Sequence, residues 1–116
     1  MGLSKSNKGS LAEYKVVCLC LSLGWYVFMC ATPNCPTDLI LTRGNHIVLK
    51  AQVKSSTTAT GASNAGNPKH LRQGGNDVLF VLTLDTILIK VKDRRIQKMF
   101  PGSILARPPK RKQPPQ

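Results

Sequence analysis

The sequence predicts a small α+β protein with one N-terminal membrane or signal helix, a weak antiparallel β-hairpin or sheet, and a disordered basic tail. Three observations predict this class. Residues 16–31 contain no formal charge, short β-branched runs follow, and 17 Lys and Arg face only 5 Asp and Glu, for a net charge of +12. With 116 residues, the chain can build one thin core at most.

Composition changes divide the chain into six segments. They are a basic leader (1–15), a transmembrane or signal-anchor helix (16–31), a β-hairpin region (32–53), a linker rich in Ser, Thr, Gly and Asn (54–77), a β-rich segment with a basic helix (78–100), and a disordered tail rich in Pro and basic residues (101–116).

The uncharged run is the strongest signal. Sixteen helical residues rise about 24 Å, against a hydrocarbon core of about 30 Å. Trp25 and Tyr26 lie near its far end, where aromatic side chains favour the membrane interface. Cleavage after Ala31 would place bulky Met29 where a signal peptidase requires a small residue. We therefore expect an uncleaved signal anchor, with a cleaved signal peptide or a buried core helix as alternatives.

Lipid attachment is the second membrane-related expectation. The first eight residues, MGLSKSNK, place Gly2 after the initiator Met and Ser6 at the offset required for N-myristoylation. This segment is similar to the myristoylated leader of Src-type kinases, which implies an acyl chain on Gly2. Cys18 and Cys20 are candidates for S-acylation because they lie in the apolar run. The clustering of the four cysteines is unlike a disulfide framework.

Downstream of the apolar run, local patterns predict β structure. Residues 39–42 and 47–53 are β-rich and flank a Gly-Asn pair that suits a hairpin turn. Residues 54–76 have the composition of a flexible linker. Residues 78–92 favour strands with a bend at Asp85. A short amphipathic helix is expected over residues 90–100.

The basic residues of the C-terminal third predict contacts with polyanions. The candidates are Lys90, Lys92, Arg94, Arg95, Lys98, Arg107, Lys110, Arg111 and Lys112. The last three are similar to a short nuclear localisation signal. The expected partners are the lipid bilayer and, through this segment, anionic lipid, an acidic protein or nucleic acid.

Catalytic motifs do not emerge from the sequence. Gly61 and Gly66 have the spacing of a phosphate loop, but Asn-Pro follows where Lys-Ser/Thr is required. Residues that could ligate zinc lack the compact spacing of finger-type sites; they are Cys30, Cys35, His46 and His70. The sequence therefore predicts a protein that is not an enzyme and has no cofactor.

Together these features predict a small, basic, single-pass membrane protein of the secretory pathway with a non-catalytic binding or scaffolding role. Three alternatives stay open. The chain could be a soluble nucleic-acid-binding protein that acts electrostatically and resides in the nucleus, a small cleaved and secreted protein, or a poorly folded orphan reading frame without a defined activity.

Overall fold

The structure is a computed structural model that describes residues 5–32, 35–56, 69, 71 and 75–106. Within these residues, six strands form one mixed sheet in the order β1-β2-β3-β4-β5-β6. The elements are α1 (Lys5–Ser22), β1 (Tyr26–Met29), β2 (Leu39–Arg43), β3 (Ile47–Ser55), β4 (Val78–Leu82), β5 (Ile87–Val91), α2 (Arg94–Gln97) and β6 (Ile104–Leu105).

The apolar run of residues 16–31 is divided between a helix and a strand. Helix α1 ends at Ser22 and β1 begins at Tyr26. Gly24 makes the turn between them with a φ of +89°, a conformation that glycine adopts without steric cost. Among the described residues, every helix is too short or too polar to cross a bilayer. The predicted fold class, a membrane or signal helix with a hairpin, is therefore wrong.

Helix α1 carries its apolar residues on one face and packs that face against the sheet. Ala12, Val16 and Cys20 are buried at four-residue intervals, whereas Tyr14 and Leu21 are exposed. Side chains four residues apart lie on the same side of a helix. The apolar content that indicates a membrane segment in the sequence is thus used to cover a β-sheet.

Three aromatic rings form the centre of the core. Phe100, after α2, stacks on Trp25 with ring centroids 5.2 Å apart, and it meets Phe80 of β4 edge to face at 5.9 Å. Arg43 closes this cluster, since its guanidinium carbon lies 4.0 Å from the Trp25 ring centroid and its Nη2 donates to the Leu23 carbonyl at 2.6 Å. The cluster joins both ends of the described chain.

The central strands β2 and β3 form an antiparallel hairpin with Leu39 opposite Ala51. These two strands lie close to where the alternation of residues predicts them. Strand β3 then pairs in parallel with β4, so the connection between them must cross from one end of the sheet to the other. Strands β4 and β5 are antiparallel. The sheet is therefore mixed, which the sequence patterns did not predict.

The connection between β1 and β2 carries a covalent link. Cys30 and Cys35 form a disulfide with a sequence separation of 5. Asp38 follows three residues later, directly before β2. Its carbonyl accepts a hydrogen bond from the Cys30 N–H at 3.3 Å. The link thus lies directly before the start of the hairpin.

Candidate active site at the divergence of two strands

Strands β2 and β3 separate at one end of the hairpin. Strand β2 begins at Leu39, opposite Ala51, but β3 continues to Ser55. At the point of separation the Asp38 N–H donates to the Ala51 carbonyl at 3.1 Å. The Asp38 carboxylate then accepts from the Val53 N–H at 2.8 Å. The Asp38 side chain therefore takes the place of the next backbone hydrogen bond between the two strands, and this contact fixes the carboxylate against β3.

A second carboxyl group reaches the same point from α1. Glu13 is half-buried and contacts Asp38. Burial raises the pKa of Glu13, and the negative charge of Asp38 and a side-chain hydrogen bond to Asp38 raise it further. Two carboxyl groups in contact resist simultaneous ionisation because their like charges repel. A carboxyl group with a raised pKa beside a second carboxyl group is a candidate for a functional site.

Gln52 and Lys54 lie on either side of Val53, the residue whose N–H is held by Asp38. Both side chains are half-buried, whereas Val53 is buried among the core residues under α1. Because successive side chains of a strand point to opposite faces, Gln52 and Lys54 share the face away from Val53. The register of the hairpin, continued by one residue, sets Asp38 opposite Gln52, and we refer to Glu13, Asp38, Gln52 and Lys54 as the carboxylate–lysine cluster.

A buried polar contact supports the chain just before Asp38. The Thr37 hydroxyl donates to the Asn76 side-chain oxygen at 3.0 Å, with the two residues only 8% and 3% exposed. Next to Asn76, Asp77 accepts from the Lys50 N–H at 2.9 Å. These contacts tie the start of β2 to the start of β4, so the position of Asp38 depends on elements distant in sequence.

The cluster combines the groups that a hard divalent cation and an anion require. Carboxylate and amide oxygens are the ligands that Mg²⁺ and Ca²⁺ prefer, and the ammonium of Lys54 can bind a phosphate oxygen. Within the described part of the chain, no three His, Cys, Asp or Glu residues gather around one point. The two carboxyl groups would thus need the Gln52 amide oxygen as a third protein ligand. A cation at this point would offset the repulsion between the two carboxyl groups.

The lipidation candidates occupy different environments. Cys18 is exposed on α1 and Cys20 is buried in the core. Burial raises the pKa of the Cys20 thiol to about 12, which disfavours the reactive thiolate. Gly2 lies outside the described residues. Lipidation stays a prediction.

The candidate polyanion contacts are spread over β5, α2 and the residues around it. Lys92, Arg94, Arg95 and Lys98 are exposed and Lys90 is half-buried. Lys92 forms an ion pair with Asp77 at 2.5 Å. The remaining candidates, Arg107, Lys110, Arg111 and Lys112, lie outside the described residues. A role for these residues in binding polyanions stays a prediction.

Sequence reasoning missed all four residues of the cluster, although one signal was available. Asp38 immediately precedes the first predicted strand of the hairpin, Gln52 lies at the end of the second, and Lys54 directly follows it as the first residue of the predicted linker. The start of one antiparallel strand meets the end of its partner. The predicted hairpin alone therefore brings these three residues together, and only Glu13 requires knowledge of how α1 packs.

Comparison with solved structures finds a similar fold. The chain is similar to a bacterial homing endonuclease, I-Ssp6803I, with a TM-score of 0.59 and 20% sequence identity over 98% of this chain and 86% of that chain. At this identity the similarity establishes the fold. No protein-family model matches the sequence, and no curated protein is significantly similar to it.

These findings correct the functional predictions made from the sequence. The single-pass membrane protein and its location in the secretory-pathway membrane are wrong, because the apolar run folds into a helix and an edge strand of a fold similar to that of an endonuclease. The lipid-bilayer partner is unsupported. The non-catalytic assignment is corrected on the same ground, since the fold is one that an enzyme uses. The nucleic-acid alternative agrees better with this fold.

Proposed function

We propose that the chain is a nuclease that hydrolyses phosphodiester bonds of nucleic acid at the carboxylate–lysine cluster, with the help of a divalent cation. The observation on which this proposal rests is the Asp38 carboxylate, which the Val53 N–H holds at 2.8 Å between Gln52 and Lys54. The raised pKa of Glu13, to which the Asp38 charge contributes after burial, supports it. The similarity of the fold to that of a homing endonuclease supports it.

The carboxyl groups and the Gln52 amide would hold the cation. A bound divalent cation supplies Lewis-acid polarisation of a phosphoryl oxygen and orients the reacting groups. The protein keeps its ligands in place through the backbone, since the Val53 N–H fixes one Asp38 oxygen at 2.8 Å and leaves the other free of that bond. Glu13 approaches from a helix that is itself anchored in the core by Ala12 and Val16.

Lys54 would bind the scissile phosphate and stabilise the negative charge that grows on it as the bond breaks. In the reaction a water oxygen adds to phosphorus and gives up one proton to solvent, the bond from phosphorus to the departing sugar oxygen breaks, and that oxygen takes up one proton from solvent. Gln52 and Lys54 share one face of β3, so a cation on the Gln52 amide and the Lys54 ammonium would approach the substrate from the same side.

The charge of the chain suits a polyanionic substrate. A net charge of +12 attracts phosphate backbones at long range. Lys50 and the basic residues around α2 are exposed, so a phosphate chain can meet positive charge at more than one place on the sheet.

A nicking assay on supercoiled plasmid DNA tests the proposal. The purified wild-type chain in Mg²⁺ should convert plasmid to nicked or linear forms, and EDTA should stop it. Asp38→Asn and Lys54→Ala should each lower the rate by about 100-fold or more. The Asp38→Asn change is a sharp test because the amide oxygen can still accept from the Val53 N–H, so the fold is retained.

Matched controls come from exposed residues of the same type. Asp85→Asn, in the turn between β4 and β5, and Lys15→Ala, on the exposed face of α1, should leave the nicking rate within about twofold, since neither touches the cluster. Wild-type protein that is folded but inactive with Mg²⁺, Mn²⁺ and Ca²⁺ would refute the proposal, as would Asp38→Asn and Lys54→Ala variants that cut at the wild-type rate.

A further inference from the structure

One face of the sheet is covered by α1, and within the described part of the chain no helix or strand covers the opposite face over β1, β2 and β3. The cross-strand register places Tyr26 beside Thr42 and Phe28 beside Ile40. It then places Thr42 beside Val48 of β3. Tyr26, Phe28 and Val48 are 70%, 57% and 61% exposed. We call this surface the aromatic face; it consists of Tyr26, Phe28, Ile40, Thr42, Val48 and Lys50.

The aromatic face is continuous with the carboxylate–lysine cluster. Residues of β3 that share its outward side follow one another at two-residue intervals, and they are Val48, Lys50, Gln52 and Lys54. Two-residue steps along a strand measure about 6.6 Å. Lys50 therefore lies between the exposed aromatic rings and the residues proposed to act on phosphate.

In the sequence, both rings lie within the apolar run, and the membrane interpretation assigns Tyr26 to the lipid interface. The structure instead exposes Tyr26 on an edge strand beside Phe28. Exposed aromatic side chains on a sheet next to basic residues are the arrangement that single-strand-binding proteins use to stack bases.

We propose that the aromatic face binds unpaired bases, so that the substrate is a nucleic acid with an unwound or single-stranded segment next to the bond to be cut. Tyr26 and Phe28 each stack one base, and Lys50 binds the backbone that leads from these bases toward Gln52 and Lys54. The stacking itself is independent of catalysis; only the approach of that backbone to Gln52 and Lys54 rests on the proposed nuclease function.

The spacing of the two rings selects unpaired over paired bases. Side chains two residues apart on one strand face are about 6.8 Å apart, roughly twice the rise of about 3.4 Å per nucleotide along each strand of a duplex. Neighbouring bases that stack on each other cannot also cover both rings at this distance. A stretched strand, whose bases have separated, can place one base on each ring.

Charge favours nucleic acid over a second copy of the chain as the occupant of this face. Two chains of net charge +12 repel one another, and the exposed ammonium of Lys50 lies on the face itself. A phosphate backbone neutralises that ammonium, whereas a self-associated face would bring two copies of it together.

Fluorescence anisotropy with a labelled oligothymidine of about 12 nucleotides tests the inference in EDTA, where hydrolysis cannot interfere. The double variant Tyr26→Leu/Phe28→Leu keeps the apolar area but removes the rings, and it should bind about 25-fold or more weakly, from about fivefold for each lost stack. The exchange Tyr26→Phe/Phe28→Tyr keeps both rings and should bind like wild type. Met29→Leu, on the other side of β1, is the matched control.

Salt dependence separates stacking from charge. The Leu double variant should keep the wild-type slope of log affinity against log salt, while Lys50→Ala should reduce the slope by about 0.7 for one lost phosphate contact. Wild-type affinity in the Leu double variant would overturn the inference. Equal affinity of the wild-type chain for the oligothymidine and for a duplex of the same length would also overturn it.

Light scattering decides whether a second copy takes the face instead. The free chain should be monomeric, and a dimer that Tyr26→Lys dissociates would refute the inference. The binding assay and the nicking assay test the two proposals separately. Binding that depends on the Tyr26 and Phe28 rings, without cleavage, would refute only the nuclease proposal. Cleavage together with binding that does not depend on these rings would refute only the proposal for the aromatic face.

Discussion

Replacing Glu13 by Gln removes one of two carboxyl groups that lie in contact, and the structure predicts that this change stabilises the protein. Burial and the Asp38 charge raise the pKa of Glu13 above its ordinary value of 4.5. A carboxyl group whose pKa is raised in the folded state contributes its full stability below the unfolded pKa and loses that contribution as the pH rises through the folded pKa. Ionisation of Glu13 as the pH rises through its folded pKa therefore lowers the stability of the folded state.

The size of the effect follows from Coulomb's law. Two unit charges about 4 Å apart repel by about 1 kcal/mol in water and about 4 kcal/mol at the effective dielectric constant of a protein surface. Both carboxyl groups are half-exposed, so solvent screening places the effect near the lower figure. A gain of about 1 kcal/mol corresponds to a rise of about 4 °C in Tm for a chain of this length.

Thermal unfolding between pH 4 and pH 8 measures the effect. The Tm difference between Glu13→Gln and wild type should be near zero at pH 4 and grow as the pH rises. Addition of Ca²⁺ should make wild type more stable than Glu13→Gln at pH 7. A cation that binds the folded state and is present at about 100 times its Kd adds about 2.7 kcal/mol, and the variant lacks one of the carboxyl groups that would bind it. Wild type more stable than Glu13→Gln at pH 7 without metal would refute the argument, as would a difference that does not change with pH.

Three further predictions concern the supports of the site. Asn76→Ala leaves the buried Thr37 hydroxyl without its partner and should cost about 1–3 kcal/mol in urea denaturation, whereas exposed Asn45→Ala should cost under about 0.5 kcal/mol. Phe100→Ala removes the ring that stacks on Trp25 and should cost about 3–5 kcal/mol, followed by Trp25 fluorescence. Reduction of the disulfide between β1 and β2 should cost about 2 kcal/mol, as expected for a short closed loop; an unchanged Tm in dithiothreitol would contradict this.

Local patterns predicted several elements because those elements depend on nearby residues. The hairpin of β2 and β3 follows from two β-rich runs around Gly44, whose φ of +64° suits the turn. The two strands within residues 78–92 and the short helix near Ile96 follow from β-branched content and from the spacing of apolar side chains. These features require no knowledge of the rest of the chain.

The apolar run led to a wrong membrane prediction because the hydrophobicity of a segment does not show whether lipid or protein covers it. Val16 and Cys20 pack against a sheet whose first strand begins only four residues after the helix ends at Ser22. The cluster was missed for a related reason. Glu13 and Asp38 are 25 residues apart in the sequence, and they meet only because α1 lies across β3.

The parallel pairing of β3 with β4 has a consequence for how fast the protein folds. Residues 56–77 separate the two strands, so the ends of a long connection must be brought together before the central pair can form. Closing a loop costs entropy that grows with the logarithm of its length, and non-local strand pairs are associated with slow folding. Refolding should therefore be limited by the docking of β4 and β5 onto the β2–β3 hairpin, and the unpaired edge of β3 is the surface that aggregates if that step is delayed.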